Sequence, residues 1–435
     1  MNPTQQNSSL PRAVPIRLGH VFPVLLMLLT GVFHSGVLTA ELIYVVNSES
    51  RTISRIDTAT QQVNNAFATL GYIPNRLVLD AAHIYVVNSG DNAIQMIDRN
   101  SGATIRYIGL GVSVNPWEAV LHNGHLYVTG LFSNRVYKVS LQSYTVVGDC
   151  LVGEAPEGLT VWNNKLYVSN TGGYQTGYAN SSVAVIDLNP FTVVQTIPVW
   201  YNPQYLIAHA GYIQVSCTGN WTGALGKVCI IDPQTDTVIQ TLDIGGSPGG
   251  LWADGTGSVW LGDLMNTGVY RYSTNDWTIW NGSANPLTPG GGAVDGTGDF
   301  IAVLDSSWGT SGEVYLRHPD FSAWQQYTVG LSPTDLKIYR PVVPVEDSVQ
   351  APAVIMVSPN PAPRGGVICF SKLGVEHKRI SIFNLRGQLI RQWEIGDSEA
   401  VWDGRDAQGK LSPGGVYLYR IDGSAAPVGG KIMIY

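Results

Sequence analysis

A chain of 435 residues is too long for one compact core and long enough for two or three domains. Charged residues make up 13%, about half the usual share, whereas Gly, Tyr and Trp occur 49, 21 and 12 times, the profile of a turn-rich, strand-built protein with few long amphipathic helices. A formal net charge of −7 without any Lys/Arg cluster argues against a nucleic-acid partner.

In chain order, the first segment is residues 1–40. Arg12 and Arg17 precede an apolar run from Val21 to Val37, and the small pair Thr39-Ala40 lies just before Glu41. Charged, apolar and small-residue regions in that order predict a secretory signal peptide. Pro23, His34 and the shortness of the run argue against a spanning helix, which needs about 20 apolar residues. The expectation is an exported protein.

From residue 41 a phrase recurs. Ile43-Tyr44-Val45-Val46-Asn47-Ser48 returns as Ile84-Tyr85-Val86-Val87-Asn88-Ser89, a β-branched and aromatic run ending in turn residues. Related strands are centred on Tyr127, Tyr167, Gln214, Trp260 and Ala302. A second marker keeps the same beat, a proline opening a short apolar run: Pro74, Pro116, Pro156, Pro203, Pro248, Pro289 and Pro333. A third is a residue closing a strand: Asp57, Asp98, Ser140, Asp187, Asp232, Ser273 and Arg317, where Asp and Ser accept backbone N–H bonds in the following turn. In the second unit the four strands are predicted at Arg76–Asp80, Ile84–Asn88, Ala93–Asp98 and Thr104–Ile108. Four-stranded units at a period near forty residues are the signature of β-propeller blades, and seven of them fill residues 41–340. The phase predicts closure within one blade, with Leu42–Asn47 pairing against Asp335–Tyr339. Insertions at 172–180 and 218–226 enlarge loops of the fourth and fifth units.

Tyr-Val-Val-Asn-Ser followed by Ile-Asp-x-x-Thr resembles the YVTN repeats of seven-bladed propellers. The last two units, with Val259-Trp260-Leu261-Gly262-Asp263 and Ile301-Ala302-Val303-Leu304-Asp305, look closer to NHL and streptogramin-lyase-like blades.

Residues 341–352 form a Pro/Val-rich linker. Beyond it, at 353–435, alternating runs separated by Asp403-Gly404, Gly414-Gly415 and Asp422-Gly423 predict a small Ig-like β-sandwich. Ser358-Pro359-Asn360-Pro361, Ile380–Gln388, Gly415–Arg420 and Lys431–Tyr435 resemble the C-terminal sorting domain of type IX secretion, while Trp402–Gly409 resembles the Ig-like module of flagellar hook-capping proteins. The sorting resemblance implies a bacterial protein, secreted or on the outer cell surface, with the secretion machinery as a partner.

Chemistry is sparse. Gly245-Gly246-Ser247-Pro248-Gly249 matches the G-x-S-x-G pattern, but Pro248 opens a strand where a nucleophile elbow needs a helix. His122 and His125 flank a turn, and His209 holds the equivalent place two blades on. Cys217 and Cys229 flank one predicted hairpin and either pair across it or remain two half-buried thiols. Trp221, Trp277, Trp280, Trp308 and Trp324 lie off the repeat beat, in or beside turns, and are candidates for carbohydrate or protein contact.

Geometry supplies the strongest candidate site. Innermost propeller strands begin together around one mouth of the channel, so the residues after each proline should form a ring: Asn75-Arg76, Trp117-Glu118, Glu157-Gly158, Gln204-Tyr205, Gly249-Gly250, Gly290-Gly291 and Thr334-Asp335. Arg76, Trp117, Glu118, Glu157, Gln204, Tyr205 and Asp335 make it charged and aromatic on one side, and glycines leave it open on the other. The reading is a monomeric, non-enzymatic binding protein for a protein, peptide or carbohydrate ligand, needing no cofactor. The lyase-like and lactonase-like resemblance implies an alternative: an enzyme with Glu118, Glu157 and Asp335 as ligands for Ca²⁺ or Mg²⁺.

Overall fold

A computed structural model of the chain describes residues 41–339, 356–371, 379–394, 400–422 and 428–435. The expected signal peptide (1–40) and linker (341–352) lie outside them. The chain divides into two compact units near residue 341.

The N-terminal unit is all β: seven four-stranded antiparallel sheets with no α-helix among the described residues. Blade 1 contains Leu42–Asn47, and blades 2 to 7 follow in chain order, with innermost strands Pro74–Leu79, Pro116–His122, Pro156–Trp162, Pro203–His209, Pro248–Ala253 and Ala293–Gly296. Each innermost strand touches the next, and Pro333–Tyr339 joins the last to the first, so the ring is closed. That strand is the innermost of blade 1 and pairs antiparallel with Leu42–Asn47, Val45 opposite Leu336 and Leu42 opposite Tyr339. Both ends of the propeller therefore lie in one sheet, as the phase of the repeat predicts.

The repeated phrase is the second strand of each blade, and its unbroken apolar character has a direct cause. Ile43 and Val45 pack with Ala302, Leu304 and Val314 of blade 7, whereas Tyr44 and Val46 pack with Leu77, Ile84 and Val86 of blade 2. Side chains alternate between two neighbouring blades, so both faces are buried and no polar alternation is left. Each fully buried Val or Ile there contributes about 1.5–3 kcal/mol. Tyr44 donates from its hydroxyl to the Arg99 carbonyl of blade 2, and Tyr167 of blade 4 to Asp236 of blade 5 at 2.6 Å, so the tyrosines join blades. The Asn binds inside its own blade, Asn88 Nδ2 donating to Gln95 Oε1 at 3.0 Å. The Ser binds the next one, Ser89 Oγ donating to the Pro116 carbonyl. The strand-closing residues cap turns: Asp57 Oδ1 accepts from the backbone of Ala59 and Thr60, Asp232 Oδ1 from that of Gln234.

Blade 7 departs from the expected pattern. Its innermost strand starts at Ala293, four residues after Pro289. Gly291 lies instead beside blade 6, where its carbonyl accepts from the Asp263 N–H at 2.8 Å. The cysteine pair also resolves. Cys217 and Cys229 are free thiols, their sulfurs 3.9 Å apart, because the register sets Cys229 opposite Val215 and leaves the cysteines diagonal neighbours.

The C-terminal unit is a small sandwich. One sheet is Met356–Ser358, Ile368–Ser371 and Ala400–Trp402; the other is Leu389–Glu394, Arg379–Asn384, Gly415–Asp422 and Val428–Ile434. Ile368, Phe370, Ile380, Trp402, Tyr417 and Ile432 fill its core. Asn360 clamps the last strand, donating to the Lys431 carbonyl at 2.7 Å and accepting from the Met433 N–H at 3.0 Å.

Candidate functional site

The innermost strands start with a break in register. The pairing slips between Pro74 and Arg76, Pro116 and Ala119, Pro156 and Leu159, Pro203 and Tyr205, and Pro248 and Leu251. Such bulges bend a strand and re-aim its side chains. Past the bulge the alternation is regular: the third residue after the proline (Leu77, Ala119, Leu159, Leu206, Leu336) enters the blade core. The second and fourth therefore belong to the channel side.

Arg76 is the centre of the channel mouth. From blade 2 it donates through Nη1 to the Thr334 carbonyl of blade 1 at 2.6 Å, and through Nη2 to the Tyr205 hydroxyl of blade 5 at 2.5 Å. Its guanidinium lies 4.8 Å from the Tyr205 ring centroid. Blades 2 and 5 are three steps apart in the ring, so this bond bridges the channel. Burial opposes the Arg76 charge, but Tyr205, Asp335 and Glu118 outweigh it and hold the guanidinium more firmly protonated than usual.

The carboxylates are unequal. Asp335 accepts from the Leu77 N–H through Oδ2 at 3.0 Å and lies 3.8 Å from Lys337 Nζ. Glu118 makes no hydrogen bond through its carboxyl, and burial pushes it up to about 7 against the pull of Arg76 and Lys337. Glu157 is 8% exposed, and its Oε2 is buried without a hydrogen-bond partner. Burial lifts this carboxyl to about 8, with Arg76 opposing and the Glu118 charge adding. A cavity of about 320 Å³ continues from Glu118 and Lys337 along the channel, lined by Leu77, Leu79, Val120 and Ile338.

The structure thus brings Arg76, Glu118, Glu157, Tyr205 and Asp335 together. Trp117 is half-buried and does not line the cavity, and Gln204 binds Asn202 Oδ1 at 3.2 Å. Two channel residues escape the proline rule. Lys337 is the fourth residue after Pro333, which strand alternation alone would have revealed. Asp295 follows the displaced start of blade 7; its Oδ2 accepts from the Ile338 N–H at 2.9 Å, and burial raises its pKa. The glycines answer to packing. A Cβ on Gly249 would stand 2.5 Å from the Gly292 carbonyl oxygen, and one on Gly158 2.3 Å from that of Gln204.

Among the described residues no three His, Cys, Asp or Glu side chains gather as a metal-ligand set. The trio Glu118, Glu157 and Asp335, expected as ligands for Ca²⁺ or Mg²⁺, is therefore not assembled: Asp335 is engaged by Leu77 and Lys337. The off-beat tryptophans divide. Trp277 packs on Tyr212, Trp324 on Phe300, and Trp280 stacks with Arg271, though Trp280 and Trp324 are as exposed as Trp221; Trp221 and the most exposed of them, Trp308, lie on mouth-side loops.

No protein-family model matches the sequence. No curated protein matches it either. Among solved structures, Kuenenia stuttgartiensis hydrazine synthase is similar over 62% of this chain and 96% of its own, with a TM-score of 0.51 at 15% identity, a likeness of fold alone. The computationally designed Ika8 protein aligns over 83% of this chain and 95% of its own, with a TM-score of 0.46 at 10% identity.

Proposed function

We propose that this chain is a secreted or cell-surface binding protein that takes a small amine-bearing ligand at the channel mouth, and that its C-terminal sandwich directs secretion or surface attachment. The YVTN-like repeats and the type IX sorting resemblance support the architecture of that reading. One observation carries the ligand: Glu157 is nine-tenths buried with a carboxyl oxygen left unpaired, near a second carboxyl, Glu118, that makes no hydrogen bond. A buried carboxyl without a partner is costly, and a cation at this point would relieve both groups at once. The apolar cavity next to Glu118 accommodates the rest of such a molecule.

Titration calorimetry with primary amines carrying apolar tails, phenethylamine among them, tests this. Saturable binding is expected, strengthening from pH 6 to pH 9 as Glu118 and Glu157 ionise, and falling at least tenfold in Glu157→Gln. Binding indifferent to that substitution, or absent throughout the panel, refutes the reading. Fractionating cells that make the full chain, beside cells making it truncated after Ala351, tests the address: equal arrival of both at the surface refutes it.

A second reading rests on the same two carboxyls. Groups raised to about 7 and about 8 suit general acid–base work near neutral pH, so an enzyme acting by proton transfer is the alternative. A turnover lost in both Glu118→Gln and Glu157→Gln would favour it.

A further inference from the structure

We infer that the two loop insertions of blades 4 and 5 form a subsite for a neutral carbohydrate, separate from the channel. The loops at 171–181 and 218–226 both follow the second strand of their blades, so they lie on the mouth side, and they meet: Trp221 Nε1 donates to the Tyr178 hydroxyl at 3.1 Å. Tyr174 stands edge-on to Tyr178, centroids 6.1 Å apart, and Trp200 stands edge-on to Tyr201 at 5.0 Å. Trp200 Nε1 donates to the Leu225 carbonyl at 2.9 Å, fixing the inter-blade segment against the second insertion. Between them runs a groove of about 230 Å³ lined by Tyr178, Ser181, Trp200 and Tyr201.

The charge pattern selects the occupant. The insertions and the neighbouring loops at 152–155 and 199–202 contain a single charged residue, Glu154, which accepts from Asn180 Nδ2 at 3.3 Å, and the adjoining Lys227, 4.0 Å from the Trp200 ring centroid, is neutralised by Asp243 at 2.7 Å. Their polar groups are otherwise amides and hydroxyls. A lipid surface or an acidic or basic peptide would call for charged partners. A sugar ring offers C–H faces to stack on aromatic rings and hydroxyls to bond with uncharged groups, so it asks for no desolvated charge. Tyr174 is 73% exposed and Trp221 41%, and their contacts with Tyr178 hold them in place, which lowers the ordering cost of binding.

Affinity electrophoresis and calorimetry on the full chain, with cello-, xylo-, manno- and chito-hexaose as probes and polygalacturonate as the charged control, test this. At least one neutral hexasaccharide should bind more tightly than the polyuronate. Trp221→Ala should weaken it about tenfold and Tyr174→Ala several-fold. Tyr174 is largely exposed, so its variant reports on binding even if Trp221→Ala folds poorly. The inference is overturned if no neutral hexasaccharide binds, if both aromatic variants bind as the parent does, or if sedimentation shows a dimer lost in Tyr174→Ala, which would make a second copy the occupant.

Discussion

Blades 1 to 5 and blades 6 and 7 use the same strand for different ends. On the first side the second residue after the proline is Asp335, Arg76, Glu118 or Tyr205 in blades 1, 2, 3 and 5, while blade 4 has Gly158 there and presents Glu157 from the position before it, so each strand brings a side chain to the channel. On the other side the corresponding stretch is Gly249-Gly250 and Gly290 to Gly292, and backbone meets backbone: the Gly250 N–H donates to the Gly292 carbonyl at 3.2 Å. A ring of identical blades needs only the buried second strand to repeat. The innermost strand is free to differ, and its differences concentrate the polar chemistry on one side of the mouth.

Arg76 separates the two sides most visibly. Replacing it by Met removes the bond to Tyr205 and the one cation that faces Glu118, Glu157 and Asp335 together; a loss of about 3 kcal/mol is expected in urea denaturation. On the glycine side, Gly249→Ala should cost about 2 kcal/mol with no effect on the mouth, because its Cβ would press on the Gly292 carbonyl. A cost confined to the first variant would show that only the charged side is tightly held.

Glu157→Gln sharpens the contrast through pH. The parent carboxyl keeps its proton to about pH 8 when folded, whereas the unfolded chain releases it near 4.5. Between those values the folded state binds more protons, so this group's contribution to stability falls as pH rises. The Gln variant lacks that slope. Its stability relative to the parent should therefore grow from pH 7 to pH 8.5, on the order of 1–2 kcal/mol. The smallest effect is expected at Trp308, 75% exposed on a blade 7 loop: Trp308→Ala should change stability by no more than about 0.5 kcal/mol.

Much of this was legible in residue order because burial on two faces leaves a strong mark. Tyr44 and Val45 repeat as Tyr85 and Val86 since each must fill the gap to a different neighbour. The prolines located the mouth, and Arg76, Glu118, Glu157, Tyr205 and Asp335 followed. Lys337 and Asp295 did not. One is a further step of two along its strand, and the other follows a start that slid from Pro289 to Ala293 when the glycine run packed on blade 6. The thiols at 217 and 229 were undecidable for the same reason: a register is set by contacts that residue order does not display. Nor does order display which aromatics of the two insertions meet, because the bond from Trp221 to Tyr178 crosses blades.

The most direct test of the mouth is a carbon-13 NMR titration of the Glu118 and Glu157 side-chain carboxyls in the intact protein. Midpoints near 7 and near 8 are expected, with both moving higher in Arg76→Met as the opposing cation is lost. Midpoints close to the ordinary 4.5 for both, unchanged by that substitution, would contradict that expectation and leave the mouth a solvated rim.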